Sequence, residues 1–207
     1  MENPKARFGG VAVCLMFAGL WSCSSGESGP SFEELIDQGW AAFAQGDYQT
    51  AADLFSDAET QNIEDAEANI GRGWSLMQLD RLSESETVFL TGRTKINATA
   101  DLFAGWAFVL NALKRYSDSN TQAERALSLD ASWSFSHGLP LDADDLQLVR
   151  AENYFLLGDF SESLVAVLLL NPSFDADVST VAGQSALAAE IERLKTTSLL
   201  RFFTSAS

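Results

Sequence analysis

The feature that most restricts this chain is an internal repeat. The stretch from Gly39 to Ala58, GWAAFAQGDYQTAADLFSDA, returns in outline 34 residues later at Gly73 to Gly92. Gly39-Trp40 becomes Gly73-Trp74, and Phe55 becomes Phe89. Within the unit, small and aromatic residues fall at helical spacing on either side of a break at Gly46-Asp47, the pattern of two antiparallel helices. A helix pair of this kind leaves one apolar face uncovered, so copies have to stack and share a continuous core.

The unit resembles a tetratricopeptide repeat: Gly39 stands at the small eighth position, Gly46 and Tyr48 at the turn, and Ala51, Phe55 and Ala58 on the second helix. The resemblance implies an all-α fold, a right-handed α-solenoid of about four helix pairs closed by a C-terminal capping helix. The expected repeats cover about 32–62, 65–95, 98–130 and 144–171. Ser31 and Glu34 have the spacing of a capping box at the start of the first. The second keeps Gly73 and Phe89, with Leu82 for Tyr48 and Ser85 for Ala51.

In the third, Gly105-Trp106 takes the place of Gly73-Trp74, and Tyr116 opens the second helix. From the glycine to that residue is eleven positions rather than nine, which implies a two-residue insertion near Asn111, and Ser119 in the place of Ala51 marks a weaker copy. From Tyr116 to Phe160 is 44 residues, and the excess falls in 131–141, ASWSFSHGLPL. Its apolar residues alternate with small or polar ones, so this insertion is expected to be extended, and Gly138 with Pro140 excludes a helix. The fourth repeat carries Ala151, Tyr154, Gly158 and Phe160, and 175–203 reads as one capping helix.

The first 22 residues read as a lipoprotein signal peptide. Lys5 and Arg7 precede an apolar run from Phe8 to Leu20, too short for a permanent membrane span. Leu20-Trp21-Ser22-Cys23 then resembles a bacterial lipobox, with Trp21 where a small residue is usual. The resemblance implies that Cys23 becomes the lipid-modified N-terminus, with palmitate among its acyl chains. Cys14 lies in the removed segment, so Cys23 has no disulfide partner. Ser24 next to it, rather than Asp, resembles lipoproteins sent on to the outer membrane, where the domain would sit on the periplasmic face. Residues 23–31, rich in Ser and Gly, form the tether.

The chain carries 13 Lys and Arg against 29 Asp and Glu, net −16. Without residues 1–22, which hold Lys5, Arg7 and Glu2, the balance is 11 against 28, or −17. Such a surface repels phosphate backbones, so nucleic acid is not an expected partner. Catalytic chemistry has little to stand on: there is one histidine, His137, read as a surface or loop residue, and no cofactor or metal motif. Asp142, Asp144 and Asp145 are expected to cap a helix.

The aromatic residues are the remaining candidates. In tetratricopeptide folds the fifth, ninth and twelfth positions commonly line a concave groove. By that resemblance the groove shows Ile36, Trp40 and Phe43; Ile70, Trp74 and Met77; Leu102, Trp106 and Val109; and Leu148, Glu152 and Phe155. Trp40, Phe43, Trp74, Met77, Trp106 and Phe155 are the candidate partner-binding residues, since an apolar stripe needs covering and tryptophan is enriched at binding hot spots. Two readings stand side by side. The groove is open to a peptide or helix of an envelope protein, or the chain fills it with its own segment, 133–141 or the C-terminal helix; the two are not exclusive, since a partner can displace a self-inserted segment. The function implied is a lipid-anchored adaptor or assembly factor; the alternative is a small apolar ligand or cell-wall fragment in the same groove.

Overall fold

The structure, a computed structural model, describes residues 29–204. The expected signal peptide, Cys23 and most of the expected tether lie outside the described residues. Among the described residues nine helices follow one another: α1 (Phe32–Ala44), α2 (Tyr48–Gln61), α3 (Glu67–Gln78), α4 (Leu82–Gly92), α5 (Ala100–Ala112), α6 (Tyr116–Leu129), α7 (Ala143–Leu157), α8 (Phe160–Leu170) and α9 (Val181–Thr204). Each of the first eight packs on its neighbours in sequence, so the chain is an all-α solenoid of four helix pairs with a ninth helix at its end.

Side-chain caps set the starts of α1 and α7. Ser31 and Glu34 form a reciprocal capping box on α1, and Asp142 with Asp145 forms another on α7. Within each pair the turn needs one left-handed residue: Gly46 (φ 79°), Asp80 (57°), Lys114 (62°) and Gly158 (84°).

The register of the pairs corrects the reading of the third repeat. Ser85, Ser119 and Ser163 each donate to the backbone carbonyl twelve residues back, on Gly73, Ala107 and Ala151. Gly39, Gly73 and Ala107 are therefore equivalent at a strict spacing of 34, and Ala107 to Tyr116 is nine residues like the others. There is no insertion near Asn111, and serine in the place of Ala51 is a repeated device rather than a weakness. Gly105 belongs to a second series with Gly71. A Cβ on Gly39 or Gly71 would meet the Phe55 ring at 2.7 or 2.2 Å, and one on Gly73 or Gly105 the Phe89 ring at 2.5 Å. Each phenylalanine is thus seated between a glycine of its own pair and one of the next pair.

The capping helix starts later than Asp175. Asp177 accepts from the Ser179 amide and hydroxyl, and Thr180 Oγ1 accepts from the Gly183 amide at 3.0 Å. These contacts hold 177–180 as a turn and place the helix boundary at Val181. On α9, Lys195 bonds Glu152 at 2.6 Å and Ser198 bonds Asp145 at 2.5 Å. Numbers rise along α9 as they fall along α7, so the two helices run in opposite directions. Consecutive first helices in the stack do not do this, so α9 closes the end without continuing the repeat.

The main core runs through the first three pairs and the 131–141 segment, from Trp40, Phe43 and Phe55 to Leu110, Ala123 and Leu146. A smaller cluster of Ala151, Ala166, Val167, Leu187 and Ile191 joins α7, α8 and α9.

Candidate partner-binding groove

Residues 131–141 leave α6 and run into the concave side of the first three pairs. The segment doubles back: the Phe135 amide donates to the Leu141 carbonyl at 2.9 Å, and the Ala143 amide to the Trp133 carbonyl at 2.8 Å. Gly138, with φ 92°, turns the tip beside Ala44 of α1, a conformation open to glycine and strained for other residues. Alternate side chains face the helices, as an extended backbone requires.

Each centres on a different repeat. His137 lies flat on Trp40, ring centroids 3.6 Å apart and planes 9° from parallel. Phe135 sits 4.2 Å from Trp74 and reaches Trp40 and Phe43 edge-on at 6.0 and 5.9 Å. Trp133 faces Phe108 at 6.4 Å. Residues 133, 135 and 137 thus read the third, second and first repeats in turn. Trp133 and Phe135 keep 2% and 6% of their surface exposed, so both are core residues.

Polar atoms at the groove floor are paired. Trp40 Nε1 donates to Glu67 Oε1 at 2.8 Å, Trp74 Nε1 to the Asp101 carbonyl at 3.0 Å, and Trp133 Nε1 to Asp101 Oδ1 at 2.6 Å. Glu67 and Asp101 sit in the first turns of α3 and α5, 34 residues apart. Burial pushes both carboxyls above their ordinary pKa, opposed by the indole donors. Burial also lowers the His137 pKa, while Asp101 opposes that shift. A neutral imidazole against an indole is the favoured state of the seated segment.

No family model and no curated protein matches the sequence. Solved structures do align with the fold. A tetratricopeptide repeat protein from Parabacteroides merdae superposes with a TM-score of 0.56 at 13% identity, over 84% of this chain and 64% of that one. MamA from Desulfovibrio magneticus RS-1 superposes with a TM-score of 0.55 at 17% identity, over 70% of this chain and 78% of that one. The fold is a tetratricopeptide solenoid.

In tetratricopeptide register the ninth positions are Trp40, Trp74, Phe108 and Glu152, not Trp106. Trp106 occupies the seventh position, where Arg72 stands one repeat earlier. It is buried, with the Arg93 guanidinium 5.7 Å over its ring. Leu102 and Val109 move with it, and Ala104, Phe108 and Asn111 take the positions assigned to them. Asn111 donates to Asn153, and Asn153 donates to Ser119 and Asn120, a buried network that fixes the third pair against the fourth.

Of the six candidate residues, Trp40, Phe43 and Trp74 touch the inserted segment, and Met77 is half-buried beside the same core. Phe155 lies apart, packed on Phe160 at 5.2 Å in the smaller cluster. Phe108, Glu67 and Asp101 are the groove residues that the sequence reading did not name. Counting 34 from Trp74 and from Glu67 reaches Phe108 and Asp101. Among the described residues no group of three or more His, Cys, Asp or Glu side chains is placed to hold a metal ion, and no helix is long and apolar enough to cross a membrane. The groove's chemistry is stacking and indole hydrogen bonding, which suits recognition.

Proposed function

We propose that this chain is a non-enzymatic adaptor or assembly factor of a bacterial cell envelope, anchored by lipid on Cys23, which receives an extended peptide of an envelope protein along its aromatic groove. The observation that carries the reading is the seat of 133–137, where an extended backbone places an aromatic side chain on each of three successive repeats. A partner segment of the same kind, with a flat ring at every second residue, fits the same floor. It takes the place of the chain's own segment. The alternative small apolar ligand would have to enter where Phe135 and His137 stand.

The test uses the segment as its own probe. A variant in which residues 131–141 are deleted should bind the free peptide ASWSFSHGLPL, and the same peptide with Phe135→Ala should bind far more weakly. No binding by a variant whose helical content is intact would overturn the groove reading. The anchor is tested separately: Cys23→Ser should release the protein from the membrane fraction, and retention there would remove the lipid from the account.

A further inference from the structure

We propose that the edge of the solenoid carrying Ile63, Ile96 and Leu129 rests on an uncharged or zwitterionic lipid surface. The proposal rests on the lipid-anchor reading above and adds an orientation to it. One falls in each of the first three repeats, Ile63 and Ile96 in the loops after α2 and α4 and Leu129 at the end of α6, and they are 63%, 60% and 45% exposed. They stand where a second helix ends or passes to the next pair, so all three lie along one edge. The first two loops are stapled together: the Ile96 amide donates to the Glu64 carbonyl, the Ala66 amide to the Ile96 carbonyl, and Asn97 to Asp65. The isoleucines are thereby held at the tips, away from the core that an isoleucine normally joins.

Two further observations name the occupant. The chain enters the domain at this edge, where the Pro30 carbonyl accepts from Gln61 Nε2 at 2.9 Å. Cys23 lies six residues before Gly29, a span of about 20 Å even when fully extended, so an acylated Cys23 holds this edge near the bilayer. The opposite edge lies about one helix length, roughly 20 Å, farther away. Charge sets the lipid class. Loops 62–66 and 93–99 balance Glu64 and Asp65 against Arg93 and Lys95, but the edge also carries the exposed Glu33, Glu34, Asp130 and Asp144, in a chain of −16. It is therefore repelled from anionic lipid and suits an uncharged or zwitterionic surface. Apolar side chains at the headgroup boundary add to an anchor without spanning the membrane.

The experiment places an environment-sensitive fluorophore on Ile63→Cys, Ile96→Cys and, at the opposite edge, Gln49→Cys, in the acylated full chain reconstituted into phosphatidylcholine vesicles with bromine-labelled acyl chains. Quenching should be several-fold stronger at 63 and 96 than at 49. Equal quenching at all three in a chain whose Cys23 carries its acyl groups by mass spectrometry would overturn the orientation and leave the row to a protein partner. A chain in which Cys23 carries no lipid would overturn the anchor reading and this proposal with it.

Discussion

Lys114 holds a left-handed backbone, φ 62°, at the turn where the first and fourth repeats have Gly46 and Gly158. A side chain in that region costs about 1–2 kcal/mol, and glycine returns part of it through greater freedom in the unfolded chain. Lys114→Gly should therefore raise stability by about 0.5–1 kcal/mol, read as a higher midpoint of denaturant unfolding at unchanged slope. The same scale explains what the sequence showed and what it hid. Gly39 and Gly73 were legible because each faces a phenylalanine, Phe55 or Phe89, and only a hydrogen leaves room for the ring. The third repeat has Ala107 opposite Ala123, a small pair in place of a Gly and Phe pair. Gly105-Trp106 mimics the familiar dipeptide two residues too early, because Gly105 makes room for the Phe89 ring of the preceding repeat. One hydrogen bond identifies the true register, Ser119 to the Ala107 carbonyl, and a hydroxyl's acceptor is not written in sequence.

At the scale of elements, the extended character of 131–141 followed from its alternation, but its destination did not. Two segments could have filled the groove. The structure seats 133–137 on the first three repeats and lays Lys195 of α9 against Glu152 at the ninth position of the fourth. Trp74 has no exposed surface, so replacing Trp40 and Trp74 by alanine acts on the core as well as on any partner, at about 3–5 kcal/mol each. Single-site tests of binding belong on the inserted segment instead. His137 offers one with a defined sign. Its folded pKa is lowered from 6.5 by burial, with Asp101 of α5 as the facing charge. Its contribution is therefore present above the unfolded pKa and is lost as pH falls through the folded value. His137→Phe keeps a flat ring on Trp40 and removes the titration. The stability of the native chain relative to this variant should decline between about pH 8 and about pH 5, measured by thermal midpoints of both proteins at each pH. The raised pKa values of Glu67 and Asp101 act with the opposite sign; the Glu67 shift is common to both proteins, whereas Asp101 loses the opposing His137 charge in the variant. A difference that does not change with pH would place His137 in water rather than against the indole.

Among the described residues the molecule is one stack with a large core, a smaller one at its C-terminal end and a minor cluster of Leu35, Ala58 and Ala68 at the first pair. Helices α1 to α6 and the inserted segment share the larger, while α8 and α9 hold to α7 through the smaller, in which Leu187 and Ile191 are the contribution of α9. Solenoids unfold in units joined by nearest-neighbour contacts, so loss of the smaller core should not spread evenly. Leu187 has no exposed surface, and its replacement by alanine should cost about 2–5 kcal/mol. In the native chain the buried Asn153, bonded to Asn111, Ser119 and Asn120, ties α7 to the third pair. This tie, together with Leu146 in the larger core, should keep α7 partly protected when α8 and α9 open. Hydrogen exchange on Leu187→Ala should then show faster exchange in α8 and α9, an intermediate change in α7, and amide protection in α1 to α4 close to that of the native chain. Uniform loss of protection across all nine helices would instead mean that the reversed cap and the first repeat belong to one cooperative unit, with the inserted segment as the element that joins them.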